Sequence, residues 1–156
     1  MKNNVSFNST LTKFGMGLFE TIKVTDYPLD LDLHMNRLFN SIKELNLSIE
    51  NDKEFYKETI LKYIKENNVK NKALRLTVFD EGYNISLRDI TYNEDTYKKG
   101  FSLCISPIKR GDSIIYRHKT TNYFESMYSK HYATDRNFND AIFLDSLSNI
   151  LECSMS

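Results

Sequence analysis

The chain has 156 residues, of which 40% are hydrophobic and 13% aromatic, so it can bury a core and does not have the composition of a disordered protein. Its 21 basic and 21 acidic residues give a net charge of zero, which argues against a nucleic-acid-binding protein. No apolar run is long enough for a membrane span, and the polar N-terminus does not resemble a secretion signal. We therefore expect a cytoplasmic protein with no membrane or nucleic-acid partner.

The first two thirds of the chain predict a domain of mixed strands and helices. Strands are predicted where β-forming residues cluster, and helices where apolar residues recur at spacings of three and four. Asp52 suits the N-cap of the second helix. The predicted elements are, in chain order, a strand at 17–25, helices at 31–46 and 52–67, and strands at 73–79, 84–92 and 101–105.

A domain boundary is predicted after this part. Residues 107–112 contain a proline, charged residues and a glycine with little to bury, which is typical of a connector. Beyond it, the pattern predicts a helix at 120–134 and a hairpin of two short apolar strands at 141–145 and 149–153. We therefore predict an α/β (α+β) N-terminal domain at 1–107, a connector at 108–118 and the start of a second, incomplete domain at 119–156.

One lysine in the second part has a position suited to chemistry. Lys119 lies in R-H-K-T-T-N-Y at the entrance to the predicted helix, where the helix dipole disfavours an added positive charge. A neutral amine is the form that attacks a carbonyl group. Spacing alone leaves a solvated lysine with no catalytic role as the ordinary alternative. Cys104 and Cys153 lack metal-ligand spacing and predict buried free thiols, so no metal site is expected.

Four segments together resemble a known family. They read F-G-M-G-L-F-E-T at 14–21, H-M-N-R-L at 34–38, K-T-T-N at 119–122, and D-A-I-F-L-D at 140–145 running on to L-E-C-S-M-S at 151–156. In the same order, they are similar to the F-G-D-G-x-F-E-T, H-x-x-R-L, K-x-x-N and D-E-A-L-x-L-D … T-E-G-S-x-S-N patterns of class IV aminotransferases. That family includes branched-chain and D-amino-acid aminotransferases and aminodeoxychorismate lyase. Met16 and Cys153 depart from the Asp and Gly that are usual there.

The resemblance implies the fold-type IV architecture of enzymes that use pyridoxal 5′-phosphate (PLP), and a homodimer with the active site between the domains. Lys119 would form the internal aldimine with PLP and later move the α-proton of the substrate. Arg37 would bind the cofactor phosphate, and Glu152 would face the pyridine nitrogen and keep it protonated. The alternatives from sequence are a solvated helix arginine at Arg37 and an exposed strand-end carboxylate at Glu152.

Three further residues are implied near the cofactor or the substrate. Tyr123 would hydrogen-bond the phenolic oxygen of PLP, with a core tyrosine as an equal alternative. Phe19 and Thr21, on the strand at 17–25, would contact the substrate. His34 lies one turn before Arg37 on the same helix face and is expected to be a packed histidine rather than a catalyst.

The predicted function is that of a PLP enzyme acting through a lysine Schiff base. It would transfer the amino group of an amino acid to a 2-oxo acid, or act on aminodeoxychorismate and release pyruvate and p-aminobenzoate. The K-x-x-N spacing and the Glu152-Cys153 pair favour the lyase slightly. Family members run on for roughly another hundred residues, which supply backbone N–H groups at a helix N-terminus for the phosphate. The alternative is therefore a truncated, non-catalytic domain that serves as an interaction module.

Overall fold

The structure is a computed structural model that describes residues 1–155. The chain forms two compact units. Unit 1 comprises residues 1–90 and the segment His118–Thr121, and unit 2 comprises residues 91–117 and the chain from Asn122 onward. No helix among residues 1–155 has both the length and the apolar character needed to cross a lipid bilayer.

Unit 1 is an antiparallel three-stranded sheet of order β1-β2-β3 with helices from the same unit against it. Its elements are α1 (Thr10–Phe14), β1 (Gly17–Val24), α2 (Leu31–Glu44), α3 (Lys53–Glu66), β2 (Lys72–Phe79) and β3 (Gly82–Asp89). The predicted strands and long helices of this region are confirmed to within a few residues. Asp52 caps α3 as expected, since its carboxylate accepts a hydrogen bond from the Phe55 N–H at 2.8 Å.

The core of unit 1 lies between the sheet and the two long helices. Alternate positions of β1 point into it, and so does one face of α2 and of α3, because strands repeat every two residues and helices every 3.6. Each of these large apolar side chains contributes about 1.5–3 kcal/mol when buried. The fully buried members are Leu18, Ile22, Val24, Met35, Leu38, Tyr56, Ile60, Leu74, Leu76 and Val78.

Unit 2 is a second three-stranded sheet, of order β4-β5-β6, in which β4 and β5 are parallel and β5 and β6 antiparallel. Its elements are α4 (Glu94–Lys99), β4 (Leu103–Lys109), a short 3-10 helix (Ile114–Arg117), α5 (Phe124–Thr134), β5 (Asp140–Leu144) and β6 (Ile150–Cys153). The predicted hairpin is confirmed. Asp145 forms its turn by accepting hydrogen bonds from the Leu147 and Asn149 N–H groups at 2.9 and 2.8 Å.

The division between the units falls earlier in the chain than the sequence predicted. The predicted connector at 107–112 begins inside β4, which pairs with β5 and so belongs to unit 2. The strand tolerates Pro107 because its register is irregular between Ile105 and Lys109, where a missing N–H removes no ladder bond. Arg110, expected in an exposed connector, is buried at 6% exposure, and its N–H donates to the Leu144 carbonyl.

Candidate functional site

Lys119 lies in an extended segment against the edge of β1. Its carbonyl accepts a hydrogen bond from the Phe19 N–H at 2.9 Å, and the Thr121 N–H donates to the Gly17 carbonyl at 2.8 Å. These bonds use the backbone groups that a helix would need, so α5 begins only at Phe124. The predicted position of Lys119 at a helix entrance is therefore wrong, and the helix dipole gives no reason for its reactivity.

Two glycines allow this close approach. A Cβ atom on Gly17 would lie 2.8 Å from a Leu11 side-chain carbon and 3.1 Å from the Thr121 side chain. Gly15 ends α1 with φ of 67°, a conformation that favours glycine. The Thr121 hydroxyl donates to the Gly15 carbonyl at 2.6 Å. The local backbone geometry thus favours glycine at Gly15 and Gly17 of the F-G-M-G motif. Met16, between them, is 44% exposed.

The side chain of Lys119 lies over Phe19. The Lys119 Nζ is 5.4 Å from the centre of the Phe19 ring, and the Arg75 guanidinium carbon is 3.7 Å from the same centre. Thr21 is the cross-strand partner of Arg75, and it lies on the same face of β1 as Phe19 because side chains alternate. The structure therefore brings Lys119 to Phe19 and places Thr21 on the same strand face as Phe19.

Arg75 belongs to this face but was not predicted from the sequence. It lies on β2 between Leu74 and Leu76, both fully buried in the core on the other side of the sheet. An arginine at the alternate position of such a strand points away from that core. The alternation of apolar and polar residues in β2 could therefore have predicted that Arg75 lies on this face. It could not have predicted that the guanidinium lies over Phe19.

On the helix side of the sheet, Arg37 and His34 bind a buried carboxylate. Glu20 is only 1% exposed; it accepts hydrogen bonds from Arg37 Nε at 2.7 Å and Nη2 at 2.5 Å, and lies 2.7 Å from His34 Nδ1. Burial alone raises the pKa of Glu20, but the hydrogen bonds and charges of Arg37 and His34 outweigh it and hold that pKa below its ordinary value. His34 is thus a polar partner of Glu20, and Glu20 is a residue that the sequence did not single out.

The environment of Arg37 fits the binding of a phosphate. Glu20 engages Nε and Nη2, whereas a guanidinium has five N–H donors. The side chain is 49% exposed, so a ligand can reach it from solvent. The pair with Glu20 fixes the plane of the guanidinium before any ligand binds, which reduces the entropy lost on binding.

In unit 2, Glu152 forms an ion pair with the buried Arg110. The Arg110 side chain is 7% exposed and that of Glu152 is 52% exposed, so the carboxylate is anchored yet accessible. The guanidinium also donates to the Ser126 hydroxyl at 3.0 Å and lies 3.6 Å from the centre of the Phe143 ring. The sequence offered an exposed strand-end carboxylate as the alternative for Glu152. The side chain is exposed, but it is held in place by its ion pair with Arg110.

A second carboxylate approaches Arg110 from α5. Glu125 Oε2 lies 3.8 Å from Arg110 Nε, and neither atom has a hydrogen-bond partner among residues 1–155. The Tyr116 hydroxyl donates to Glu125 Oε1 at 3.2 Å. Burial and the negative charge of Glu125 raise the pKa of Tyr116. Arg110 is the centre of this cluster, although the sequence predicted only a connector there.

The other predicted residues in this part of the chain are Tyr123 and the two cysteines. Tyr123 is half-buried at the N-cap of α5. Cys104 and Cys153 are free but half-buried, not fully buried as predicted. Burial, followed by the charges of Asp140 and Glu152, raises the pKa of Cys153. Within residues 1–155, no cluster of three or more His, Cys, Asp or Glu side chains is arranged to hold a metal ion.

Replacing Arg110 with methionine is expected to lower the free energy of unfolding by about 1–3 kcal/mol, because the volume stays but a buried charge-assisted hydrogen-bond network is lost. Urea denaturation at pH 7 measures the difference. Arg117→Met, at an exposed arginine of the same unit, is the matched control and should change stability by less than about 0.5 kcal/mol. Equal effects of the two substitutions would show that the Arg110 cluster does not stabilise unit 2.

Comparisons with known proteins identify the family and the fold of this chain. The family model of amino-transferase class IV matches residues 17–156. The fold is similar to that of a protein assigned as a 4-amino-4-deoxychorismate lyase from Legionella pneumophila, with a TM-score of 0.84 and 19% identity over 99% of this chain and 61% of that one. A search of curated protein sequences finds no match.

Branched-chain aminotransferases share the fold as well. The Escherichia coli enzyme matches with a TM-score of 0.84 and 21% identity, over 97% of this chain and 58% of that one. The T.th. enzyme with pyridoxamine 5′-phosphate matches with a TM-score of 0.86 and 21% identity, over 98% and 58% of the two chains. The chain thus spans about 60% of the length of these relatives. The predicted mixed α/β fold of type IV is confirmed, and the chain belongs to the class IV aminotransferase family.

Proposed function

We propose that this chain carries the catalytic lysine of a PLP-dependent enzyme and that Lys119 is that lysine. The observation that carries the proposal is the fixed position of Lys119, whose backbone is bonded to β1 and whose amine lies over the Phe19 ring. A half-buried lysine fixed in this way is suited to covalent chemistry. Membership of a family whose enzymes use PLP supports the same role.

Different residues of the chain would bind different parts of the cofactor. Arg37, held by Glu20, would bind the phosphate oxygens, and Tyr123 would hydrogen-bond the phenolic oxygen. Glu152, anchored by Arg110, would keep a proton on the pyridine nitrogen. When bound, PLP acts as an electron sink for the bond that breaks at the substrate's α-carbon.

The sheet face of unit 1 would receive the substrate. The Lys119 amine would take the α-proton and return it, acting as base and then as acid. Phe19 and Thr21 would contact the substrate, and the positive charge of Arg75 over the same ring suits a substrate carboxylate. We therefore propose a substrate that is an amino acid or an amino-substituted acid such as aminodeoxychorismate.

Two reactions fit this site. One is transfer of the amino group to a 2-oxo acid, and the other is the lyase reaction that releases pyruvate and p-aminobenzoate. The similar solved structures include proteins described with each activity. The K-T-T-N segment and the Glu152-Cys153 pair favour the lyase slightly.

The test is to add PLP to the purified chain and record the absorbance of a lysine-bound cofactor, which borohydride should remove. Peptide mass spectrometry should then find the reduced cofactor on Lys119. Assays for p-aminobenzoate release and for glutamate formation decide between the two reactions. A chain that, after removal of free PLP, carries no preferred borohydride-reduced cofactor on Lys119 and shows neither activity would contradict the proposal and favour a non-catalytic interaction module.

A further inference from the structure

His118, the residue before Lys119, has its ring against α2 and makes one hydrogen-bond contact there, through Nδ1. Its Nδ1 lies 2.9 Å from the Ser41 hydroxyl oxygen, and its Nε2 lies 3.6 Å from a Glu44 carboxylate oxygen. The His118 side chain is only 5% exposed, although the residue before it, Arg117, is exposed. Because this side chain is buried, His118 interacts with the protein and not with solvent.

The number of hydrogens on the Ser41 hydroxyl determines which group donates in the hydrogen bond between His118 and Ser41. The Ser41 hydroxyl donates to the backbone carbonyl of Arg37 at 2.9 Å, and a hydroxyl has one hydrogen to give. The contact with His118 must therefore be donated by the His118 Nδ1–H. Ser41 thus connects the residue before Lys119 to the backbone of Arg37 through two directional bonds.

Lys119 is consequently held on both sides. On its C-terminal side, the backbone from Lys119 to Thr121 is bonded to β1. On its N-terminal side, His118 is bonded to α2, the helix that also carries Arg37. Arg37 is in turn joined to β1 by its ion pair with Glu20. Strand, helix and lysine segment form a closed set of bonds within unit 1.

We propose that His118 is a positioning residue, which holds the backbone at Lys119 against α2 through its hydrogen bond to Ser41. The inference rests on the proposed function, in which the Lys119 amine must meet the aldehyde of a bound cofactor. An amine reacts preferentially with a bound cofactor when its position is fixed in advance. Without the hydrogen bond to Ser41, the Lys119 amine can still react with PLP, but its position is no longer fixed.

The experiment compares the selectivity of PLP for Lys119 in matched variants. His118→Leu removes the donor, Ser41→Ala removes the acceptor, and His118→Asn keeps an N–H donor close to the place of Nδ1. His131→Leu, at an exposed histidine of α5, is the control. Each protein is treated with a low PLP concentration and borohydride. Mass spectrometry then gives the labelling of Lys119 relative to Lys62 and Lys98, whose side chains are each 73% exposed.

We expect His118→Leu and Ser41→Ala to lower the relative labelling of Lys119 by about 5- to 10-fold, the effect of losing one hydrogen bond. His118→Asn should stay within about 3-fold of the wild type, and His131→Leu should match it. Rescue by asparagine separates positioning from a general loss of structure. If His118→Leu fails to fold, the comparison of Ser41→Ala with His118→Asn decides.

Two results would overturn the inference in distinguishable ways. Preferred labelling of Lys119 in the wild type, with the same preference in all variants, would overturn the role of His118 and leave the proposed function intact. Labelling of Lys119 no stronger than that of Lys62 and Lys98 in the wild type would overturn the proposed function and this inference with it.

Discussion

A chain with arginine in place of Lys119 is expected to lose the preferred site of covalent PLP attachment completely while remaining folded. The guanidinium stays protonated at neutral pH and cannot attack the cofactor aldehyde, whereas a lysine amine can. The substitution keeps a positive charge over Phe19, and the bonds to β1 involve only the backbone. Stability should therefore change by less than about 1 kcal/mol.

The measurement is the absorbance of PLP mixed with the variant, followed by borohydride reduction and peptide mapping. Lys23→Arg is the matched control, since Lys23 is an exposed lysine on β1. That control should keep the absorbance of the wild type. Attachment in Lys119→Arg at another lysine, well above the labelling of the exposed Lys62 and Lys98, would show that the proposed function is assigned to the wrong residue.

The second large effect concerns the stability of unit 1. Arg37→Met is expected to lower the free energy of unfolding at pH 7 by about 2–4 kcal/mol, because it leaves the Glu20 carboxylate buried with only His34 beside it. The lost energy is mostly the cost of an unpaired buried charge. The double variant Glu20→Gln with Arg37→Met should therefore recover part of the loss.

This effect depends on pH in a defined direction. The pKa of Glu20 is lowered in the folded protein, so its stabilisation is fully present above the ordinary glutamate pKa and is lost as the pH falls through the folded value. The difference between the wild type and Arg37→Met should thus be full at pH 7 and shrink on acidification below about pH 4. Urea denaturation across this range measures it.

Arg88→Met provides the control, since Arg88 is exposed on β3 of the same sheet. It should cost less than about 0.5 kcal/mol at every pH. A difference between the wild type and Arg37→Met that stays constant from pH 7 to pH 3 would contradict a role for the Glu20 charge. Lost packing of the arginine stem would then be the better explanation.

Much of the fold follows from local patterns in the sequence. The long helices α2 and α3 and the strands β1, β2 and β3 each have a clear apolar repeat, and the sequence predicted them all. The short helices α1 and α4 were missed because neither contains a buried residue, so neither has an apolar pattern. The polar segment before α5 was assigned to that helix because its partner, β1, is about a hundred residues away.

The candidate site was less predictable than the fold, because its central contacts are between distant residues. Family resemblance pointed to Lys119, Arg37 and Glu152, but their partners Glu20, Arg110 and His118 were not found. A glutamate in a strand or an arginine after a proline has the ordinary pattern of a surface residue. Only the folded chain shows that Glu20 is 1% exposed and Arg110 6% exposed. The burial of each charged side chain is explained only when its oppositely charged partner is known.

The short segment His118–Thr121 has a consequence for how the protein is made. It completes the open edge of β1, yet the ribosome synthesises it about a hundred residues after that strand, with unit 2 sequence on both sides. During synthesis, the Phe19 N–H and the Gly17 carbonyl therefore remain without their final partners while the rest of the sheet can already form. An open strand edge can pair with other chains. A fragment ending at Ile90 would keep β1 permanently in this state, so unit 1 is not separable from the chain that follows it.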